Sequence, residues 1–406
     1  MSLEAIVFDR VAGKCSVKIL DQLLLPYQTQ YLPINSICDG YRAIKSMQVR
    51  GAPAIAIVGV LSVLVECQLL LQESFVKTQT FYDLTQLEKN FNERLDLLLS
   101  SRPTAVNLSN AITELRALIS EDVKATYDSL FEYACNIIDN DYADNFTMGE
   151  NGAKHLLEQL DEQNFEGDFG VLTICNTGSL ATSGYGTALG VIRSLYARTR
   201  QGKEVSEPKK AKKYGSQMVR VFPLETRPYN QGSRLTAYEL LHDEIPSTLI
   251  TDSSISYLVS TSKIPIKAAF VGADRIVKNG DTANKIGTYQ LSIICKHFGI
   301  KFYVVAPTTT FDANTETGDK IIVEERPPNE FRFVQGTLID SANAAPVVNE
   351  YKIPLKASVG ITPLDMPVWN PSFDITPYQH IDGIISEKGV FTKAEDGKFH
   401  LETQFQ

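Results

Sequence analysis

The amino-terminal segment alternates apolar and polar residues with a period of two. Three runs show the pattern, AIVFD, SVKIL and QTQYLPI, and Gly13 and Pro26 separate them. Alternation of this kind puts one set of side chains on each face of a strand, and glycine or proline between the runs indicates turns. The segment is therefore predicted to form a small antiparallel sheet.

Between residues 35 and 160 the apolar residues recur at steps of three and four, the spacing that places them on one face of a helix. One such series is Leu84, Leu87, Phe91, Leu95 and Leu98. The acidic stretch 139–151 lacks the pattern and contains a glycine, so we interpret it as a boundary or a frayed connection. The predicted helices span residues 35–48, 53–71, 80–99, 103–119, 121–139 and 150–160.

After Asp168 short β-rich runs alternate with helical segments, and several runs are almost entirely apolar, as in parallel strands covered on both faces. We therefore predict the α/β class: a Rossmann-like, doubly wound, mostly parallel sheet domain, preceded by a mainly helical domain that carries the small antiparallel sheet. The predicted domains are residues 1–145 and 146–406. The predicted strands are VLTIC (171–175), VRVFPL (219–224), STLIT (247–251), AAFVG (268–272), KFYVVA (301–306) and GIISE (383–387), with helices at 233–243, 253–261 and 283–298.

The composition indicates a folded, globular chain. Its 406 residues are 43% hydrophobic and 21% charged, close to globular averages, and the length suggests roughly two to three domains. The 39 basic and 48 acidic residues leave a net charge of −9. An acidic balance argues against a general nucleic-acid binder, which needs a basic surface.

Membrane insertion and secretion are not expected. The uncharged run APAIAIVGVLSVLV (52–65) ends before Glu66, which makes it too short for a bilayer and suits a buried helix. The start MSLEAIVFDR lacks the features of a signal peptide. The six cysteines form no C-x-x-C pair and only five histidines accompany them, so we expect reduced thiols, no metal site and a cytoplasmic protein.

The segment 199–217 differs from the rest of the chain because it is polar and rich in lysine. A flexible surface loop accounts for this composition. The alternative is a phosphate-binding patch or a nuclear-import signal, which would add a nuclear location to the cytoplasmic one. The clustered residues are Lys209, Lys210, Lys212 and Lys213.

Two arginines each stand shortly before a proline that begins a predicted helix. In Arg50-Gly51-Ala52-Pro53 the proline suits the first helical turn, the glycine lets a ligand approach the backbone, and the helix amino end attracts anions. The Arg50 guanidinium can bind phosphate through two hydrogen bonds. Arg102 precedes a second such proline. Either a shared phosphate pocket or two solvated arginines would give this pattern.

Cys175 and Asp274 each end a predicted strand, where ligands bind in sheets of this class. A thiol can act as acid, base or nucleophile, and a carboxyl group can donate or accept a proton. Structural alternatives stay open at this point. Cys175 could be a small buried hydrophobic residue, and Asp274 could cap a helix or pair with Arg275.

Further polar residues border these strand ends. Gln231 precedes a predicted helix, where it could contact a polar ligand or lie in a surface loop. Asn284 and Lys285 open the next predicted helix and could hold sugar hydroxyls or phosphate. A dinucleotide site is disfavoured, because the glycines of SGYGTALG are spaced one residue too widely for G-x-G-x-x-G. The residues alone indicate a metal-free, phosphate-binding α/β enzyme.

Taken together, the motifs resemble the methylthioribose-1-phosphate isomerases, the aldose–ketose isomerases of methionine salvage, over nearly the whole chain. By the same resemblance, the superfamily also contains ribose-1,5-bisphosphate isomerases and the regulatory subunits of the translation-initiation guanine-exchange factor. The motifs are VRGAPAI (49–55), SRPTAVNL (101–108), LTICNTGSLAT (172–182), ETRPYNQGSRLT (225–236), VGADRIVKNGDTANKIGTYQL (271–291), VVAPTTTFD (304–312), VEERPPNE (323–330) and NPSFDITP (370–377).

The resemblance implies a homodimer that converts 5-methylthio-α-D-ribose 1-phosphate to 5-methylthio-D-ribulose 1-phosphate without a cofactor. Cys175 and Asp274 would form the catalytic pair. The alternatives are a non-catalytic regulatory subunit that binds sugar phosphates or nucleotides, a ribose-1,5-bisphosphate isomerase and, third, a dehydrogenase. The residues that the resemblance assigns to the substrate and its phosphate are Arg50, Gly51, Ala52, Arg102, Gln231, Asn284 and Lys285.

The implied reaction must open a sugar ring whose anomeric carbon carries the phosphate. We expect Asp274 to act as general acid at the ring oxygen. Cys175 would then either remove the proton at C2 or stabilise the transition state of a 1,2-hydride shift, and both routes stay open.

Overall fold

A computed structural model describes residues 3–11, 14–71, 86–102, 106–200 and 214–401. Its contacts divide the chain into two compact units. Unit 1 comprises Met1–Leu24, Thr29–Ala143 and Ser179–Gly186, and unit 2 comprises Leu25–Gln28, Asp144–Gly178 and Thr187–Gln406. The domain boundary at residues 145–146 stays a prediction.

Unit 1 begins with the small sheet predicted from the alternating runs. Strand β1 (Ile6–Val11) pairs antiparallel with β2 (Lys14–Leu20), which pairs antiparallel with β3 (Tyr31–Pro33). In β2 alternate residues are buried, among them Val17 and Ile19. This prediction is confirmed.

The remainder of unit 1 is helical. Its longest apolar helix, Ala52–Leu70, has 19 residues and continues past Glu66. The expectation that this segment is too short for a bilayer is therefore wrong, because length and composition alone would suffice for a span. Most of the helix is buried inside the protein, so it is a core helix, as also expected. The Glu66 carboxylate is stabilised there by the Arg94 guanidinium and accepts a hydrogen bond from the Ile37 N–H at 2.8 Å. The other helices are Ile37–Lys45, Leu87–Leu99 and Val106–Leu118.

A single helix of 40 residues, Val123–Glu162, replaces the two helices predicted on either side of residues 139–151. One glycine costs a helix only about 1 kcal/mol, which packing readily offsets. Met148 and Leu156 are buried in unit 2, and Gly152 lets the helix approach Val191, since a Cβ on Gly152 would lie 2.7 Å from a methyl group of that side chain. The predicted break is therefore wrong.

Unit 2 is built on a six-stranded sheet with the strand order β15-β14-β9-β6-β4-β5. Five strands are parallel, and only the edge strand β15 is antiparallel. The predicted fold class, a mostly parallel sheet after a helical segment, is confirmed. The strands are β4 (Gly167–Thr173), β5 (Ser216–Pro223), β6 (Ile266–Val271), β9 (Lys301–Val305), β14 (Gly383–Ser386) and β15 (Gly389–Thr392).

Hydrophobic cores lie on both faces of this sheet. On one face the helix Ala188–Thr199 packs with the carboxyl half of Val123–Glu162 against Phe169 and Val171. The opposite core contains Leu172 together with residues of the helices Ile255–Thr261 and Thr288–Phe298. Alternate residues of one strand thus enter opposite cores, which explains the nearly continuous apolar runs.

Other predicted elements also differ in the structure. STLIT (247–251) forms only isolated bridges at Ser247 and Ile250, because the segment runs beside β5 without a continuous ladder. The helix predicted at 283–298 begins at Thr288, and its first residues belong to strand β8 (Thr282–Lys285). The lysine cluster at 209–213 lies outside the described residues.

Strand β8 belongs to a second sheet of order β10-β7-β8-β13. Its other strands are β7 (Arg275–Val277), β10 (Phe311–Asp312) and β13 (Phe373–Thr376). A hairpin-like pair, β11 (Phe333–Thr337) and β12 (Lys356–Gly360), follows a short helix at Asn329–Arg332. The segment 233–243, predicted to be helical, is a π-helical turn at Gly232–Thr236 followed by the α-helix Ala237–His242.

Candidate active site

The strand order of unit 2 places a crevice between β4 and β6. These two strands are parallel neighbours, yet the chain proceeds from β4 to a helix on one face and from β6 to a helix on the other. Such a reversal leaves an open crevice at the carboxyl ends of the strands, where ligands bind. Cys175 follows the end of β4 by two residues, and Asp274 follows the end of β6 by three.

The backbone of Cys175 is held in a conformation that few non-glycine residues adopt. Its φ is 68°, in the left-handed region. Its N–H donates to the Thr226 hydroxyl oxygen at 2.9 Å, and its carbonyl oxygen accepts a hydrogen bond from the Thr236 hydroxyl. Both threonines belong to the motif 225–236, which therefore fixes the direction in which the thiol leaves the backbone.

The loops that carry Cys175 and Asp274 contact one another. A Cβ on Gly272 would lie 2.7 Å from the Thr177 methyl carbon, so a glycine is needed where these loops meet. Asp274 also donates its backbone N–H to the Ala283 carbonyl at 2.9 Å. The helix-cap alternative for Asp274 does not apply, because strand β7 follows it. Arg275 makes an ion pair with Asp312 at 3.4 Å.

Asn284 and Lys285 lie on strand β8. The sequence predicts them at the start of a helix, and that prediction is wrong. They are only 4% and 8% exposed. Asn284 donates to the Thr288 hydroxyl at 3.0 Å, and the Lys285 ammonium donates to the Ser372 carbonyl at 3.0 Å. That ammonium also lies 4.7 Å from the Phe373 ring centre. A buried cation among a carbonyl and aromatic faces is well suited to binding an anion.

Gln231 is buried, not placed in a surface loop, with 5% of its surface exposed. Its side-chain carbonyl oxygen has no hydrogen-bond partner among the described residues. The π-helical turn begins directly after it, at Gly232, whose Cβ would lie only 1.6 Å from the Leu224 carbonyl oxygen. Single π-helical turns are frequent at functional sites, and a buried acceptor without a donor requires a ligand or costs stability.

Strand β13 adds a carboxylate that is not among the predicted site residues, although it lies within the motif NPSFDITP (370–377). Asp374 pairs across the sheet with Asn284. It accepts hydrogen bonds from the Gly287 and Tyr289 N–H groups at 2.7 and 3.0 Å, at the amino end of Thr288–Phe298. Burial raises the pKa of Asp374 to about 6, against the opposing effect of these hydrogen bonds. The backbone partners lie 85 and 87 residues away, so no local signal could reveal them.

The remaining predicted residues lie in unit 1. Gly51, with a φ of 97°, directly precedes the helix Ala52–Leu70. A Cβ on Gly51 would lie 2.4 Å from the Ala181 carbonyl oxygen. The missing side chain therefore makes room for the backbone at Ala181, whereas the sequence predicts that it makes room for a ligand. Arg50 and Arg102 are half-buried, and the proline after Arg102 lies outside the described residues. The amino end of a helix carries a positive dipole, which would attract an anion beside Arg50.

Metal coordination finds no support in the described ranges, where no three His, Cys, Asp or Glu side chains form a group suited to an ion. The loops after β4 and β6 carry a thiol and a carboxyl group, and Gln231, Asn284 and Lys285 of the same unit are buried amides and a buried ammonium. These groups can donate and accept hydrogen bonds, move protons and bind an anionic ligand.

Comparison with known proteins assigns this architecture. A family model described as "Initiation factor 2 subunit family" matches residues 48–393. A methylthioribose-1-phosphate isomerase from Kluyveromyces lactis is 84% identical over 100% of both chains. The crystal structure of 5-methylthioribose 1-phosphate isomerase from Pyrococcus horikoshii OT3 is 29% identical, with a TM-score of 0.73, over 96% of this chain and 93% of that one. The translation initiation factor eIF-2B, subunit delta, from A. fulgidus is 34% identical, with a TM-score of 0.71, over 98% of both.

Proposed function

The chain belongs to the initiation factor 2 subunit family, and we propose that within this family it isomerises 5-methylthioribose 1-phosphate to 5-methylthioribulose 1-phosphate in methionine salvage. The observation that carries the proposal is the pair of touching loops that follow β4 and β6, with Cys175 on one and Asp274 on the other. The 84% identity to an isomerase over the full length supports the same reaction. The substrate is a small sugar phosphate.

Asp274 acts first as a general acid in this proposal. It donates a proton to the ring oxygen while the bond between that oxygen and C1 breaks, and the ring opens with the phosphate still attached to C1. The resulting carboxylate later accepts the proton of the 2-hydroxyl group as C2 becomes the carbonyl carbon. The proton gained by the former ring oxygen and the proton lost from the 2-hydroxyl balance, so no external acid or base is consumed.

Cys175 assists the transfer of hydrogen from C2 to C1 by one of two routes. In a hydride shift the hydrogen moves with its electron pair, and the thiol stabilises the transition state. In the enediolate route Cys175 begins as a thiolate, accepts the proton from C2, and as the resulting thiol donates a proton to C1. Running the reaction in heavy water separates the routes, because substantial deuterium at C1 of the product contradicts the hydride shift. An apolar, water-poor pocket would favour the hydride shift, since it gives little support to a charged enediolate.

The substrate-binding assignments follow the chemistry of each side chain. Lys285 and Asn284 are placed beside Asp374 and the aromatic ring of Phe373, and would hold phosphate or hydroxyl groups. Gln231 offers a buried acceptor to a hydroxyl group. The helix start formed by Arg50, Gly51 and Ala52, together with Arg102, is assigned to the phosphate on the grounds of its positive dipole and guanidinium donors.

A regulatory initiation-factor subunit is the second candidate, since a protein of that name is 34% identical over 98% of both chains. An isomerase converts methylthioribose 1-phosphate, whereas a regulatory subunit would bind it without converting it. Purified protein is mixed with methylthioribose 1-phosphate, without metal or nucleotide, and ketose formation is followed by phosphorus NMR. Turnover supports the isomerase. Binding without turnover favours the regulatory subunit, and faster turnover of ribose 1,5-bisphosphate favours the bisphosphate isomerase.

We also propose a homodimer, as expected for the family. Unit 2 exposes apolar side chains along and around β11 and β12, which would be covered in an oligomer. A solution mass equal to that of one chain contradicts this proposal. These side chains are Ile339, Val348, Tyr351, Val359, Ile361 and Leu364.

The proposed location is cytoplasmic, with an additional nuclear population. The basis is the lysine-rich stretch PKKAKK at residues 208–213. Deleting this stretch from a fluorescently tagged chain should abolish nuclear signal and leave the cytoplasmic signal. A nuclear signal that persists after the deletion excludes the stretch as the import signal.

A further inference from the structure

Asn176 follows Cys175 directly and is not among the predicted site residues. It lies in the loop after β4, at the carboxyl end of the strand beside the crevice. The residue is only 7% exposed, and its side-chain carbonyl oxygen is buried. The next residue, Thr177, makes the contact with Gly272 that joins this loop to the loop of Asp274.

A buried group of charges fixes the orientation of the Asn176 amide. Its NH₂ group donates to one carboxylate oxygen of Glu239 at 2.8 Å, and Glu239 is fully buried. Arg193 donates to the other Glu239 oxygen at 2.8 Å and to Asp243 at 2.8 Å. Because an ionised carboxylate only accepts hydrogen bonds, the amide must turn its NH₂ group towards Glu239. Its carbonyl oxygen therefore points away from this cluster.

The loop is pressed closely against the same carboxylate. A Cβ on Gly178 would lie 2.2 Å from a Glu239 oxygen, so the chain can pass only as glycine. The Asn176 side chain is thus held by its amide hydrogen bond and by the close contact two residues later. Groups held in this way are preorganised for binding, because they lose little freedom when a ligand arrives.

The carbonyl oxygen of this fixed amide is buried and makes no hydrogen bond within the described residues. A buried acceptor without a donor is costly, and buried polar atoms in proteins nearly always have partners. Gln231, already assigned to the substrate, presents a second buried acceptor of the same kind. Sugar hydroxyl groups are donors of the type that both acceptors require.

We propose that Asn176 is a specificity-determining substrate residue whose side-chain carbonyl oxygen accepts a hydrogen bond from a ring hydroxyl group of the sugar phosphate. Glu239 and Arg193 are positioning residues that hold the amide in the required orientation. This inference rests on the proposed isomerase function and deepens it, since it explains how the site recognises the hydroxylated face of the sugar.

The test combines one protein change with one ligand change. Inhibition constants of the 2-deoxy and 3-deoxy analogues of methylthioribose 1-phosphate are measured on wild type and on Asn176→Ala. In wild type, loss of the hydroxyl group that Asn176 binds should weaken binding about 10- to 100-fold. In Asn176→Ala, loss of the same hydroxyl group should change binding less than about threefold. Such non-additivity reports a direct contact, which a merely structural role of Asn176 would not produce.

Asn151→Ala is the matched control, because Asn151 donates to the Ser386 carbonyl at 2.9 Å elsewhere in unit 2. It should show the wild-type response to both analogues. Additive losses in Asn176→Ala overturn the proposal. So does an equal affinity of wild type for the substrate and both deoxy analogues, a measurement that needs no variant to fold. If wild type neither binds nor converts the substrate, the proposed function fails as well, whereas conversion with additive losses refutes the role of Asn176 alone.

Discussion

Cys175 carries its thiol on a left-handed backbone, with a φ of 68°. Such a conformation costs a non-glycine residue roughly 1–3 kcal/mol and persists only where its surroundings enforce it. Thr226 and Thr236 supply that enforcement through hydrogen bonds to the N–H and carbonyl groups of Cys175. Strain concentrated at this residue is consistent with a position where the direction of the side chain matters for chemistry.

Replacing Thr236 by valine should lower kcat about tenfold and leave KM nearly unchanged. Valine keeps the shape of threonine but removes the hydroxyl that donates to Cys175, so the thiol loses part of its alignment while the binding groups remain. Steady-state kinetics measure kcat and KM separately for the variant and wild type. Thr199→Val, which removes a buried hydroxyl bonded to the Leu195 carbonyl, is the control and should keep the wild-type kcat. Equal losses in both variants contradict the role of Thr236.

Asp374→Asn should change the pH dependence of stability. The folded-state pKa of Asp374 is raised to about 6, above its ordinary value of 3.8, so folding favours the protonated form. Its contribution to stability is fully present below pH 3.8 and is lost as the pH rises through about 6. Asparagine does not titrate, so the stability of the variant does not fall in this way as the pH rises. The free energy of unfolding of the variant relative to wild type should therefore rise by up to roughly 3 kcal/mol between pH 4 and 7.5.

Denaturant unfolding of both proteins at these two pH values measures the difference. A difference that does not change with pH shows that Asp374 does not titrate with a raised pKa. A decrease would mean that its pKa is lowered by the hydrogen bonds from Gly287 and Tyr289 instead.

The sequence was a good guide to residues whose role depends on local pattern. Cys175 and Asp274 could be placed at strand ends because the apolar runs before them are distinctive. Asn284 and Lys285 were assigned to a helix because the four-residue strand β8 leaves no clear periodicity. Asp374 and Asn176 gain their importance from partners 63 to 87 residues distant, which spacing alone does not reveal.

At the scale of elements, glycines decide how closely segments approach. Gly51 precedes the core helix of unit 1 with a φ of 97° and lies against the Ala181 backbone, whereas Gly167 has a φ of 101° with nothing near its missing side chain. A similar positive φ thus occurs once in a crowded setting and once in an open one. Alanine substitutions at Gly51 and Gly167 therefore distinguish the cost of a positive φ, which both share, from the cost of a steric clash, which only Gly51 would have.

Gly51→Ala should destabilise the protein by about 3 kcal/mol or more, against about 1 kcal/mol for Gly167→Ala. Both substitutions force alanine to adopt a positive φ, but only the first drives a methyl group into the Ala181 carbonyl. Thermal unfolding of the two variants beside wild type measures the contrast. Equal destabilisation would show that the segment carrying Ala181 moves aside at little cost.

Element type was predictable where the pattern is long and failed where tertiary contacts decide. The apolar helix Ala52–Leu70 and the parallel strands follow from composition. The acidic middle of Val123–Glu162 stays helical because buried residues such as Met148 and Leu156 stabilise the helix in unit 2. STLIT has the composition of a strand, yet only Ser247 and Ile250 bridge to the neighbouring segment.

At the scale of the whole molecule, similarity in fold does not distinguish the candidate functions. An isomerase and an initiation-factor subunit resemble this chain with TM-scores of 0.73 and 0.71. Function depends on particular side chains placed on the shared architecture. The proposed isomerase function therefore rests on Cys175 and Asp274, which follow β4 and β6, and on the buried acceptors and ammonium of unit 2.

The most direct measurement is the rate of ketose formation from methylthioribose 1-phosphate by wild type, Cys175→Ser, Asp274→Asn and Cys295→Ala, followed by phosphorus NMR and paired with substrate affinity from calorimetry. Cys295 is the buried thiol of the same unit and serves as the control. We expect turnover by wild type and Cys295→Ala, and losses of about 100-fold or more in the other two variants with substrate affinity retained. Turnover within tenfold of wild type in either Cys175→Ser or Asp274→Asn would contradict the catalytic pair.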